Sequence, residues 1–103
     1  MIPGARVLLP LLLAVAAAPA SADLALATSK NCLSCHAVEH KVLGPSFKSI
    51  AARYASQPNA ADMLAGKILR GSTGAWGPNP MPPNTQVTEP EARKLAAWVL
   101  TLK

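Results

Sequence analysis

Cys32-Leu33-Ser34-Cys35-His36 holds the only two cysteines of the chain and a histidine within five consecutive residues. In a helical turn, thiols three positions apart lie on one face. From there they can reach two substituents on one edge of a planar macrocycle. The imidazole that follows can turn under the same plane and take a central metal as an axial ligand. C-x-x-C-H is the attachment pattern of a c-type haem, in which such a histidine holds the iron.

Three other chemistries use the same residue types. A structural zinc site needs about four ligands, usually with a second Cys/His pair, and the only other histidine is His40. A redox dithiol of the thioredoxin type belongs in a βαβ context, and strand patterns are missing here. A local disulfide in an exported protein is the third. The export signal and the methionine described below favour haem over all three.

With His36 on one face of an iron, the other face needs a ligand or stays open. Donors are few. Met1 leaves with the signal, and Met63 lies beside an apolar helical stripe, where methionine normally fills gaps. His40 would lie one turn beyond His36 on a continuing helix and cannot cross to the opposite face. Lysines are strongly hydrated and need burial before they bind metal. Met81 remains, in Asn79-Pro80-Met81-Pro82-Pro83-Asn84. Prolines on both sides fix φ, so the thioether is presented with little entropy left to lose. A thioether is soft and favours reduced iron. Two protein ligands leave no vacant position for a substrate, and an iron held so exchanges electrons and does little else.

Residues 1–22 read as an export signal, cleaved in the mature protein. Arg6 supplies the positive start, Val7 to Ala18 is apolar apart from Pro10, and Ala20-Ser21-Ala22 is an A-x-A cleavage site. Ala18-Pro19-Ala20 also fits and leaves the cut uncertain by two residues. The apolar run is too short for a membrane span, which needs about 20 residues. Residues 23–103 then form one domain, of a size that often needs a staple. Only Phe47, Tyr54, Trp76 and Trp98 are aromatic, so a buried porphyrin would supply ring surface that the polypeptide lacks. Losing Arg6 lowers the formal charge of +5 to +4. That balance suits steering toward an acidic partner. Nucleic acid is excluded, because no basic helix face carries interleaved aromatics and export removes the target.

The positioning elements read as helices. Asp23 is expected to cap a first helix through Leu24, Ala27 and Thr28 up to the cysteine motif. Pro45 is expected to open a second, with Phe47, Ile50, Ala51 and Tyr54 on one stripe. Asn59 with Asp62 resembles the cap of a third, with Ala61, Leu64, Ala65 and Ile68 inward and Gly71 closing it. Thr88 and Glu91 form a capping box for the last, whose core face is Ala92, Leu95, Ala96, Val99 and Leu102. Between the last two helices, Gly71 to Val87 carries four prolines and three glycines. They are expected to forbid regular helix and strand and leave a stiff ordered loop. The fold class is therefore all-α, about four helices.

The chain resembles the short single-haem class I bacterial cytochromes c of the c-551/c-552 type, over essentially all of residues 23–103. The residues that carry the resemblance are Cys32-Leu33-Ser34-Cys35-His36, Leu43-Gly44-Pro45, Gly74-Ala75-Trp76-Gly77-Pro78 leading into Met81-Pro82-Pro83-Asn84, and Ala97-Trp98-Val99-Leu100. C-x-x-C-H alone is widely shared, whereas the Trp-Gly-Pro-x-Pro-Met-Pro-Pro-Asn run is far more specific. The resemblance implies a small cytochrome c fold wrapped round one haem c, covalent through Cys32 and Cys35, with His36 and Met81 on the iron. It implies that Pro45 offers its carbonyl to His36 Nδ1–H, a contact that fixes the tautomer. It implies that Asn84 donates to the Met81 sulfur, and that Trp76 and Lys67 hold a haem propionate. Two places look less typical, a one-residue lengthening near Thr85-Gln86 and Asn79 between two prolines.

The expected function is a monomeric periplasmic electron carrier, not an enzyme. It would take electrons from a membrane respiratory complex and pass them to a terminal reductase or oxidase. Its partners would be redox proteins, with no nucleic acid and no stable membrane anchor. Lys30, Lys41 and Lys67 would ring a small apolar contact formed by Val42, Leu43 and the proline loop. Two alternatives stay open. One is a peroxidase-like or gas-binding haem protein with a displaceable sixth ligand, and the other is a haem subunit docked on a larger oxidoreductase.

Overall fold

Thr88 has extended backbone, and its hydroxyl accepts from Glu91 N–H at 3.3 Å while Glu91 Oε1 accepts from Thr88 N–H at 3.0 Å. Two donors that a helix start would otherwise leave unpaired are thus satisfied. The helix so opened, α4 (Glu89–Leu100), is the one against which the other three pack. These are α1 (Ala20–Ser29), α2 (Phe47–Tyr54) and α3 (Ala60–Arg70). The structure, a computed structural model, describes residues 20–103 with Gly4 and Pro10, and side chains of the first helix from Asp23 onward. The expected export signal lies almost wholly outside the described residues. Among those described, no helix is long and apolar enough to cross a membrane.

The core forms where the helical stripes meet. Ala27 of α1, Phe47 and Tyr54 of α2, and Leu64 and Ala65 of α3 are buried against Ala92, Leu95, Ala96, Trp98 and Val99 of α4. Leucine and aromatic side chains gain about 1.5–3 kcal/mol each from such burial. Ile50 and Ile68 are only half-buried, because they face a cleft rather than another helix. Leu102 is half-buried too, since α4 has already ended at Leu100.

Three helix starts differ from expectation. Asp23 lies inside the first turn of α1, which begins at Ala20. Ser46, not Pro45, caps α2, because its hydroxyl can accept from Ser49 N–H at 3.0 Å and proline has no such group. Pro45 stays outside the helix and keeps its carbonyl free. Asn59 stands ahead of α3 in the left-handed region, φ 60, and makes no side-chain cap bond.

The Gly71–Val87 segment also departs from expectation. It holds a two-stranded antiparallel ribbon, β1 (Ser72–Gly74) with β2 (Gly77–Met81), paired Ser72 to Met81 and Gly74 to Gly77 with an irregularity between. Proline is tolerated because both strands are edges. The paired residues are Gly77 and Met81, whereas Pro78 and Pro80 fall at the alternate positions, whose N–H side would face away from the partner.

The capping box yields a test. The Glu91 carboxyl is held below the usual carboxylate range, first by the Thr88 N–H, then by the Thr88 hydroxyl and the Lys30 ammonium. The folded state therefore favours ionised Glu91. Its stabilisation is full above the unfolded value of about 4.3 and is lost as pH falls through the lower folded value. Thr88→Ala should cost about 1 kcal/mol at neutral pH. Thermal melts should show Glu91→Gln narrowing the difference between neutral and acid stability.

Candidate functional site

The cysteine motif forms a single 3-10 turn, Cys32–Ser34, after which Cys35 leaves the helical region. Cys35 and His36 N–H both donate to the Cys32 carbonyl, at 3.2 and 3.0 Å. The helix does not continue through His40, which is exposed and away from the cleft. Both cysteines are half-buried, and no disulfide joins them. Among the described residues, no three His, Cys, Asp or Glu side chains converge to hold a metal ion by themselves.

After His36 the chain folds back to meet its own helix. Gly44 N–H donates to the Cys35 carbonyl at 2.8 Å, and the first two N–H groups of α2, Phe47 and Lys48, donate to the Ala37 and Val38 carbonyls at 2.9 and 3.1 Å. With Ser49 capped by Ser46, three of the four orphan donors of the α2 start are satisfied. This fold-back puts Pro45 O 2.7 Å from His36 Nδ1. A carbonyl only accepts, so Nδ1 carries the proton and Nε2 keeps the lone pair. The ring stacks on Phe47, centroids 5.1 Å apart, and is buried. Gly44 is required beside it, since a Cβ there would stand 2.7 Å from His36 Cε1.

Met81 ends β2 on the other wall of the same cleft. Gly71, at φ +81, allows that wall to close on α3, because a Cβ there would stand 2.5 Å from the Met81 carbonyl. The Ile68 carbonyl in the last turn of α3 has no helical partner. It accepts from Asn84 N–H at 3.1 Å and from Asn84 Nδ2 at 2.9 Å. The Asn84 carboxamide donates to the Ile68 carbonyl and, at 3.4 Å, to the Pro82 carbonyl.

Between the walls lies a cleft of about 580 Å³ lined by Cys32, Cys35, His36, Pro45, Lys67, Trp76, Met81 and Asn84. All eight residues singled out in the sequence thus come together. The cleft is floored by Phe47, Leu64, Ile68, Leu95 and Trp98. Trp98 is 5% exposed, and its Nε1 has no hydrogen-bond partner among the described residues. Lys67 Nζ is 3.5 Å from Ser72 Oγ, while Trp76 stays partly exposed at the rim.

Two residues escaped the sequence reading. Arg53 lies over Trp76, 4.4 Å from the ring centroid, and its Nη1 donates to Ala75 O at 2.7 Å. Its signal was faint, because it stands next to the apolar stripe of α2 and not on it. Gln86 Nε2 donates to the Lys30 carbonyl at 2.9 Å, a partner that no local pattern announces.

These residues fit a haem. The chemistry of the donor set matches it: paired cysteine sulfurs, an imidazole whose Nδ1 is engaged, and a thioether, all lining one apolar cleft with an unpartnered indole N–H.

Gly44→Ala should displace the His36 ring and cost about 1–3 kcal/mol by overpacking. Gly74→Ala, with nothing within 4 Å of the added carbon, should cost only the strain of its left-handed backbone, about 1–2 kcal/mol. Denaturant unfolding measures both. The His36 ring resonances should move in the first variant alone.

Comparison with known proteins gives one consistent picture. The family model for cytochrome c matches residues 24–103. The chain is 56% identical to cytochrome c-552 of Nitrosomonas europaea over 82% of each protein. It is 50% identical to cytochrome c-551 of Stutzerimonas stutzeri over 95% of this chain and 98% of that one. The crystal structure of the wild-type Nitrosomonas europaea cytochrome c552 superposes with a TM-score of 0.76 at 55% identity, covering 78% of this chain and 99% of the other.

Proposed function

This chain belongs to the cytochrome c family, and from that premise we propose that it is a periplasmic carrier of single electrons. Membership implies one haem c attached through the two cysteines. What supports the finer reading is that His36, with its Nδ1 engaged by the Pro45 carbonyl, and Met81 line one cleft together with Cys32 and Cys35. The haem supplies an iron that cycles between ferric and ferrous states. The protein's residues do the rest. Cys32 and Cys35 would fix the edge of the group, His36 and Met81 would hold its iron, and the apolar floor would exclude water. An iron held by two protein ligands would leave no place for substrate, which favours the carrier over the enzymatic reading.

Trp76 and Lys67 are proposed to meet the propionates at the cleft rim. Residues 1–22 are proposed to be removed on export. Donor and acceptor are proposed to be a membrane respiratory complex and a terminal reductase or oxidase. A small, fast-releasing contact suits that role. Val42 and Leu43, 45% and 58% exposed, give it an apolar centre. Lys30 is already engaged by Glu91 at 3.2 Å, which leaves exposed Lys41 beside that centre as the stronger candidate for steering.

Met81→Ala should let carbon monoxide bind the ferrous protein, while the wild type should resist it. Ready binding by the wild type would favour a gas-binding or peroxidase-like protein. The rate of electron transfer to an acidic redox partner should fall with rising salt, since screening acts over about 8 Å at physiological ionic strength. Charge reversal at Lys41 should lower association more than transfer. Rates flat across ionic strength would mean an apolar contact alone.

A further inference from the structure

Lys30 stands shortly before Cys32, which lines the cleft, and Gln86, which also lines it, stands shortly after Met81. Each side chain reaches the other's backbone. Lys30 Nζ donates to the Gln86 carbonyl at 3.2 Å, and Gln86 Nε2 donates to the Lys30 carbonyl at 2.9 Å. The Lys30 carbonyl lies just past the end of α1, where carbonyls lack helical partners. Gln86 Nε2 also lies 3.2 Å from Asn84 Oδ1. An oxygen that accepts there fixes the sense of the Asn84 carboxamide and turns Nδ2 toward Ile68 O. Lys30 is anchored in turn by Glu91, whose carboxylate is held in the α4 capping box. The cysteine wall, the methionine wall and the α4 start are thus tied at one point. A second link between the walls, Asn79 Nδ2 to Leu43 O, is single and longer at 3.4 Å.

We propose that Lys30 and Gln86 are positioning residues for Met81, their reciprocal strap holding the methionine wall closed against the cysteine wall and setting the direction of Asn84. The proposal rests on Met81 being the second axial ligand. The strap acts by opposing the opening that lets Met81 leave. Each of its bonds is exposed, and the net worth of such a bond corresponds to about a five-fold change in an opening equilibrium.

The test uses the ferric holoprotein and the rate at which saturating cyanide displaces Met81, where opening of the wall limits the exchange. Gln86→Met and Lys30→Met should each speed displacement about five-fold, and the double variant by more than about ten-fold. Arg93→Ala, which breaks exposed pairs with Asp62 and Glu89 away from the haem cleft, should stay within about two-fold of wild type. Amide hydrogen exchange on the same samples should quicken at Asn84 and Val87 while α2 keeps its protection. Strap variants that match Arg93→Ala, or faster exchange spread evenly over all four helices, would overturn the positioning role. A wild type that takes cyanide without delay would overturn Met81 ligation, and the strap with it. A slow wild type with unmoved strap variants would overturn the strap alone.

Discussion

The hydrogen bond from His36 Nδ1 to the Pro45 carbonyl is the contact on which the site depends. It places the proton on one ring nitrogen and leaves the other free for the proposed iron. It can form only because residues 37–45 fold back, and they fold back because α2 needs acceptors for its first N–H groups and finds them at Ala37 and Val38. The same fold-back brings Gly44 against the ring and stacks the ring on Phe47. Helix initiation and the orientation of the His36 ring are therefore served by one loop.

The opposite wall follows a parallel logic at a helix end. The last turn of α3 leaves Ile68 O without a helical partner, and Asn84 supplies it twice. Gly71 lets the chain turn close enough to meet the Met81 backbone. β1 and β2 then carry Met81 out along a ribbon whose prolines restrict it. Each of the two proposed iron ligands is thus set by a helix terminus, His36 by the start of α2 and Met81 by the end of α3.

Much of this was legible in the residues. Periodicity located four helices, and the capping box of Thr88 and Glu91 stands where its spacing put it. The eight site residues share one cleft because local rules already tied each to an element. The failures share a cause. Pro45 was read as a helix opener, yet a neighbouring serine hydroxyl made the better cap. Strand was excluded on proline content, although alternate positions of a two-stranded ribbon tolerate proline. Arg53 and Gln86 take partners far along the chain, and spacing patterns report only near neighbours.

The central claim is that His36 and Met81 hold one iron from opposite sides. Electronic absorption of the ferric protein tests it most directly. A low-spin spectrum with the weak long-wavelength sulfur-to-iron charge-transfer band, absent in Met81→His, is the expected result. A high-spin wild-type spectrum without that band would contradict the account.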